Sequence, residues 1–329
     1  MNDVSVDILV TFYNQEEYIN QALTSVFEQK GDFNFRVLVG DDGSSDCTPI
    51  ILNEWEKRFP AQIKVFTMHR DEKHHLPGGF RASRNRLNLL KHVDADYFIF
   101  LDGDDYFDNP NKLQMQIEEL EKGENQDCIA CGHDIDALYR DGNRKLFAKV
   151  TSRQQKYTLK EYWSNMYSHT DTIVFRREAI SGIPFYLIEN SFNDNTITYL
   201  FLRRGKLLYL PKAMAVYRQT GDGIWTGETE IVSMIREMML FDIANQLTPE
   251  LKCATRSRFA HTWMRLFTLR KMIDQQKLEV YENEATEKHL QFTQKWIHFN
   301  SLDRHSSCEL YFELIFAILS RIVFKLIKI

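Results

Sequence analysis

The sequence predicts an α/β protein, a Rossmann-like, mostly parallel mixed sheet flanked by helices, followed by a helical C-terminal extension. Three observations predict it. Strand and helix patterns alternate from Asp7 to Phe66, the order of a parallel nucleotide-binding half. Two apolar runs end abruptly in carboxylates, at Asp41-Asp42 and at Asp102-Gly103-Asp104-Asp105. From about Glu228 onward the apolar residues recur at helical spacing.

The first strand is Asp7 to Tyr13, and a helix carrying Tyr18, Ala22 and Val26 on one face follows it. Phe35 to Gly40 is the second strand. A helix from about Pro49 to Arg58 and a third strand, Ile63 to Phe66, come next. Residues 69 to 85 read as a polar loop that runs into a helix bearing Arg81, Arg84 and Arg86. Tyr97-Phe98-Ile99-Phe100-Leu101 is too short for a helix and rich in aromatic and β-branched residues, so it is a strand buried on both faces. Gly103 lets the backbone turn and approach its neighbours closely. Asp105 and Asp108 read as turn residues or caps of the helix that starts near Asn109-Pro110. That helix, from Lys112, runs to about Lys122. Cys128 to Ile135, Thr172 to Phe175 and Lys206 to Leu210 read as strands, and Asn193-Asp194-Asn195 opens a helix through Leu202. Thr220 to Gly227 is a Gly-rich loop holding Trp225, either a lid or a plain turn.

Right-handed crossovers put the strand ends carrying Thr11, Asp42 and Asp102 on one edge of the sheet, where ligands bind in such folds. No G-x-G-x-x-G follows the first strand and no G-x-x-x-x-G-K-[ST] occurs. A diphosphate bound here needs another counter-charge. Crowded carboxylates sharing a hard divalent cation supply one. The formal charge of −5 argues against a nucleic-acid partner. Five cysteines, an odd number, fit a reducing compartment. Cys128-Ile129-Ala130-Cys131 lacks the second pair that zinc requires and lies in an apolar run. No secretory signal pattern opens the chain, and no apolar run reaches the length of a membrane span. The expected location is cytoplasmic.

With these pieces in place the chain resembles the family 2 glycosyltransferases of the GT-A fold, over roughly residues 5 to 225. The motifs are Val10-Thr11-Phe12-Tyr13-Asn14, then Val39-Gly40-Asp41-Asp42-Gly43-Ser44, then Arg84-Asn85, Leu101-Asp102-Gly103-Asp104-Asp105-Tyr106, Lys112-Leu113-Gln114 and Tyr217-Arg218. Together and in order they are specific for the family and silent on the sugar.

The resemblance implies an enzyme of the hexosyltransferase type. It would be inverting, and would take a nucleotide-sugar donor, a UDP-sugar foremost, to a glycan or lipid-linked glycan acceptor in cell-surface polysaccharide synthesis. Thr11, Tyr13 and Asp42 would line the base and ribose pocket, with Asp41 able to share the work of Asp42. Arg84 would lie near the base or phosphates. Asp104 would be the main ligand of Mn²⁺ or Mg²⁺, and Asp102 would hold the ribose or the metal. Asp194 would be the general base, although Asn193 and Asn195 flank it where the family commonly has a Glu-Asp pair. His133 and Asp222 are the next candidates for that role. The Q-x-x-R-W motif of the processive synthases is absent, which implies single additions. The implied organisation is a GT-A domain over 1–227, divided into a nucleotide-sugar half (1–108) and an acceptor half (109–227). A helical region (228–305) and an amphipathic helix (306–329) complete it.

Two other readings compete. The sugar nucleotidylyltransferases have similar strand ends, but their N-terminal Gly-rich loop is missing here. A catalytically degenerate nucleotide-binding protein is disfavoured by Asp102, Asp104 and Asp194 all being present. In the segment Glu309 to Ile329, Arg321, Lys325 and Lys328 share one helical face and apolar residues fill the rest. This is the pattern of a helix lying in a membrane interface, here the cytoplasmic face of the inner membrane. A core helix or a homodimer contact is the competing reading.

Overall fold

Strand β1 (Ser5–Phe12) is buried along nearly its whole length and pairs in parallel with β2 (Asn34–Asp41) on one side and β4 (Tyr97–Asp102) on the other. These strands belong to a computed structural model that describes residues 4–70, 78–148, 153–165, 169–189 and 191–220, with scattered positions between 237 and 319. The chain divides into two compact units, Met1–Thr226 and Gly227–Ile329.

In the first unit β3 (Ile63–Thr67) extends the parallel set beyond β2. Helices α1 (Ile19–Phe27), α2 (Thr48–Arg58) and α3 (Gly78–Leu90) make the crossovers. Pro49 stands in the first turn of α2, where its missing N–H costs nothing. The one charged residue inside β1, Asp7, is fully buried and fully satisfied. It takes both arms of Arg36 at 2.8 Å and the N–H groups of Asp94 and Ala95.

Beyond β4 the sheet turns mixed. The short β9 (Val174–Arg176) lies antiparallel between β4 and β6 (Cys128–Tyr139), and β10 (Lys206–Gln219) runs parallel to β6. The strand order is β3-β2-β1-β4-β9-β6-β10-β5, where β5 is Tyr106–Phe107. Two further strands pair off this path, β7 (Arg144–Ala148) with β6 and β8 (Gln155–Tyr157) with β10. Helix α4 (Lys112–Glu121) packs on β6. Helices α5 (Leu159–Asn165), α6 (Phe185–Ile188) and α7 (Asp194–Leu202) follow.

Several expectations are corrected. The strand expected at Thr172–Phe175 starts later, because Thr170–Thr172 form a 3₁₀ turn before β9 begins at Val174. Asp105 and Asp108 do not cap α4. Asp105 accepts from the N–H of Arg218 at 2.7 Å, Asp108 pairs with Arg144 at 2.5 Å, and Asn109 takes the N–H of Asn111. Cys128 and Cys131 are both buried in β6, and burial pushes the Cys128 thiol up to about 11 and the Cys131 thiol higher still. Such thiols are poor ligands and poor nucleophiles.

In the second unit Leu240, Phe241, Ile243, Ala244 and Leu251 are buried. Most of Thr220–Gly227, with Asp222 and Trp225, and of Glu309–Ile329 lies outside the described residues. Ile315 and Leu319 are helical and about half exposed, at 51% and 54%. Among the described residues no helix is long and apolar enough to cross a membrane.

Candidate active site

The parallel register brings Thr11 beside Asp102 and Phe12 beside Asp41 at one edge of the sheet. Thr11 Oγ1 stands 3.5 Å from Asp102 Oδ1. The chain turns sharply after Asp102. Gly103 donates to the carbonyl of Thr11 at 3.0 Å, and a Cβ at Gly103 would lie 2.2 Å from the ring of buried Phe12. Glycine is therefore required by close approach.

Asp41 and Asp42 part company after β2. Asp41 serves the turn, with Oδ1 accepting from the N–H and hydroxyl of Ser44 at 3.1 and 2.6 Å. Asp42 accepts from Arg81 Nη2 at 2.5 Å and from Arg70 Nη2 at 2.7 Å. The Arg70 guanidinium lies 3.4 Å from the centroid of the Tyr13 ring, a cation–π contact, and Tyr13 is 42% exposed.

Helix α3 supplies two more arginines that reach the carboxylates, Arg81 and Arg86. Arg81 and Asn85, one turn apart, share a face. Asn85 donates to the carbonyl of Gly40 at 2.9 Å, where a Cβ would lie 2.1 Å from the Asn85 side chain. Arg86 faces β4 and binds Asp102 at 2.5 Å and Asp194 at 3.3 Å. Arg84, two residues before it, points elsewhere and lies 3.6 Å from Glu189. Residues two apart lie on opposite sides of a helix. The sequence already held that signal against grouping Arg84 with Arg86.

Asp194 is buried at the start of α7, with Asn193 capping the helix through the N–H of Thr196. Its Oδ1 accepts from the Thr170 hydroxyl at 3.3 Å. The 3₁₀ turn before β9 adds His169 and Asp171, which sequence reasoning missed. His169 Nδ1 is 3.4 Å from Asp171, and its Nε2 is 3.9 Å from both Asp105 and Asp194. Asp171 also accepts from the N–H of Asp102 at 3.1 Å. Gln116 of α4 holds the turn from below by donating to the carbonyl of Thr172 at 2.9 Å. A polar His-Thr-Asp immediately before an apolar strand was the available signal. The earlier alternative His133 is buried in β6 against the carbonyl of Asp134, and burial holds its imidazole well below its usual range.

Charge is concentrated here. Burial and the neighbouring Asp102 push the Asp104 carboxyl up to about 6. Burial and the neighbouring Asp171 push the Asp105 carboxyl well above the usual carboxylate range. Burial opposes the charged form of His169, but Asp171, Asp194 and Asp102 outweigh it and bring the imidazole up to about 9. Five carboxylates thus surround one guanidinium and one imidazole. Asp105 Oδ2 and Asp171 Oδ2 are buried without a formal hydrogen-bond donor. A proton or a cation satisfies them.

The donor set suits a divalent ion. One ligand atom each from Asp102, Asp105 and His169 lie within 4.8 Å of one another. Two carboxylates and an imidazole suit Mn²⁺ better than Mg²⁺, which prefers oxygen alone. Asp104, expected as the main ligand, stands beside this group and is half-buried.

A mixed sheet flanked by helices, with a crossover-built parallel half and a carboxylate-rich edge, is the GT-A type of fold. The profile of Glycosyl transferase family 2 matches residues 7–183. The chain belongs to that family and carries a family 2 glycosyltransferase domain. It is 28% identical over 224 residues to an uncharacterized protein of Mycobacterium tuberculosis, covering 67% of this chain and 60% of that protein. It is 28% identical over 181 residues to the dTDP-rhamnosyl transferase RfbG of Shigella flexneri, covering 54% of this chain and 57% of that one. The chain thus spans about 60% of the length of such curated relatives. Among solved structures, S. aureus TarS 1-349 in complex with UDP-GlcNAc superposes with a TM-score of 0.63 at 17% identity, over 98% of this chain and 89% of that one. The mannosyltransferase PcManGT from Pyrobaculum calidifontis, in complex with GDP-Man and Mn²⁺, gives 0.53 at 14% identity, over 96% and 86%. These likenesses establish the fold.

Proposed function

We propose that this chain is an inverting, divalent-metal-dependent glycosyltransferase. It moves a sugar from a nucleotide-sugar, foremost a UDP-sugar, to a hydroxyl of a glycan or lipid-linked glycan during cell-surface polysaccharide synthesis. The observation that carries the reading is the convergence of Asp102, Asp105 and His169 with Asp194 at one sheet edge. Relatives named as transferases, and structural neighbours holding UDP-GlcNAc or GDP-Man with Mn²⁺, support it.

In this reading the 1–108 half takes the nucleotide and the 109–227 half the acceptor. The base stacks on Tyr13 and bonds Asp42, with Asp41 holding the turn and Thr11 and Asp102 beside the ribose. Arg84 lies at the outer rim of α3. A divalent ion held by Asp102, Asp105 and His169, with Asp104 completing its shell, would offset the charge of the departing diphosphate. Asp194 accepts the proton of the attacking hydroxyl. Arg86 and Thr170 hold Oδ1 of that carboxylate, and its Oδ2 faces His169 at 3.9 Å. A single in-line displacement inverts the anomeric carbon. The segment 309–329 attaches the enzyme to the cytoplasmic face of the membrane that carries the acceptor.

The test is release of nucleoside diphosphate from a panel of UDP-, dTDP- and GDP-sugars, with and without Mn²⁺, with cell-envelope glycolipid as acceptor. Turnover with no member of the panel, or turnover indifferent to chelator, overturns the reading. Sedimentation with anionic liposomes, lost on truncation before Glu309, tests the membrane segment.

A further inference from the structure

Across β7, β6 and β10 the register sets Lys145 opposite Ala137 and Ala137 opposite Tyr217. Ala137 is small and fully buried. Rings from the two outer strands therefore meet above it. Phe147 and Tyr217 lie 5.3 Å apart, edge to face at 67°. Tyr217 in turn lies 4.8 Å from the imidazole of His169, and His169 Nε2 is 3.9 Å from Asp194. A row of rings thus leads from the reaction centre to Phe147, which is 38% exposed.

The inner end of this row meets carboxylates, because His169 lies 3.4 Å from Asp171 and 3.9 Å from both Asp105 and Asp194. The row is also well separated from the proposed base pocket. Tyr13 follows β1 and Tyr217 lies on β10, four strands away in the sheet order, or roughly 19 Å at ordinary strand spacing. The nucleobase does not account for it.

We infer that Phe147 and Tyr217 form an aromatic platform that seats a pyranose ring of the acceptor, with its reacting hydroxyl toward Asp194. The inference rests on the transferase reading above. A pyranose presents one face of C–H groups and a rim of hydroxyls. Aromatic faces take the first, and a few convergent polar groups orient the second. The platform offers the exposed Phe147 ring at one end and carboxylates at the other.

The test uses the full chain saturated with UDP and Mn²⁺, and methyl glycosides of glucose, galactose, N-acetylglucosamine and rhamnose as probes. Binding is read by saturation-transfer NMR. At least one glycoside binds the wild-type chain. Phe147→Ala weakens that binding by roughly three- to tenfold, the worth of one ring contact, and Phe147→Trp retains it. UDP titrates into all three proteins alike, which shows the variants folded. Binding of no glycoside, or undiminished binding to Phe147→Ala, overturns the platform. Failure of UDP to bind the wild-type chain overturns instead the donor-site reading on which the platform depends.

Discussion

Nη1 of Arg86 lies 3.3 Å from Oδ1 of Asp194, while Nη2 of the same guanidinium lies 2.5 Å from Asp102. One buried cation from α3 therefore ties the end of β4 to the start of α7. Replacing it takes the guanidinium from both carboxylates at once. Arg86→Met is expected to lose roughly 3–5 kcal/mol of stability, the usual cost of breaking a buried pair. Urea denaturation measures this, and a loss below about 1 kcal/mol would show that solvent reaches the pair.

Asp194→Asn preserves shape and removes the proposed proton acceptor. Donor binding is expected to stay nearly intact, while turnover falls by roughly 10²- to 10⁴-fold. Single-turnover kinetics at saturating donor separate the two. Turnover close to wild type would move the base elsewhere.

Asp104→Ala is expected to abolish transfer and the metal dependence of UDP binding, as read by calorimetry with and without Mn²⁺. Because burial and Asp102 hold this carboxyl near about 6, protons compete with the ion there. Mn²⁺ affinity of the wild-type chain is expected to fall as pH drops below 6. Metal-dependent UDP binding that survives in Asp104→Ala would leave Asp102, Asp105 and His169 as the sufficient set.

His169 titrates near about 9 in the folded chain, against 6.5 unfolded. A raised folded value means the charged imidazole stabilises the fold fully below about pH 6.5, and that this is lost as pH rises through 9. The shift corresponds to at most roughly 3 kcal/mol. In metal-free protein the melting temperature is expected to fall between pH 6.5 and 9, and more steeply than in His169→Gln. Parallel curves for the two proteins would assign the pH dependence to other groups.

The sequence by itself determined the parallel half of the sheet, because β1, β2 and β4 are long apolar runs whose patterns depend only on neighbouring residues. It determined also that Thr11, Asp42 and Asp102 meet at one edge, since right-handed crossovers leave no other arrangement. Asp194 at a helix start was legible from Asn193-Asp194-Asn195. Only the tertiary structure decided the rest. β5, β8 and β9 have two or three residues each, too few to show a period, and exist because distant strands accept them. Asp105 reads as a turn residue until the N–H of Arg218, more than a hundred positions away, claims it. His169 and Asp171 are marked locally only by a polar His-Thr-Asp ahead of an apolar strand. They join the site because β9 wedges antiparallel between β4 and β6 and carries the preceding turn to the carboxylates. Periodicity is a local property and survives in one dimension. The company a buried charge keeps is set by contacts between remote segments, and only the folded chain contains those.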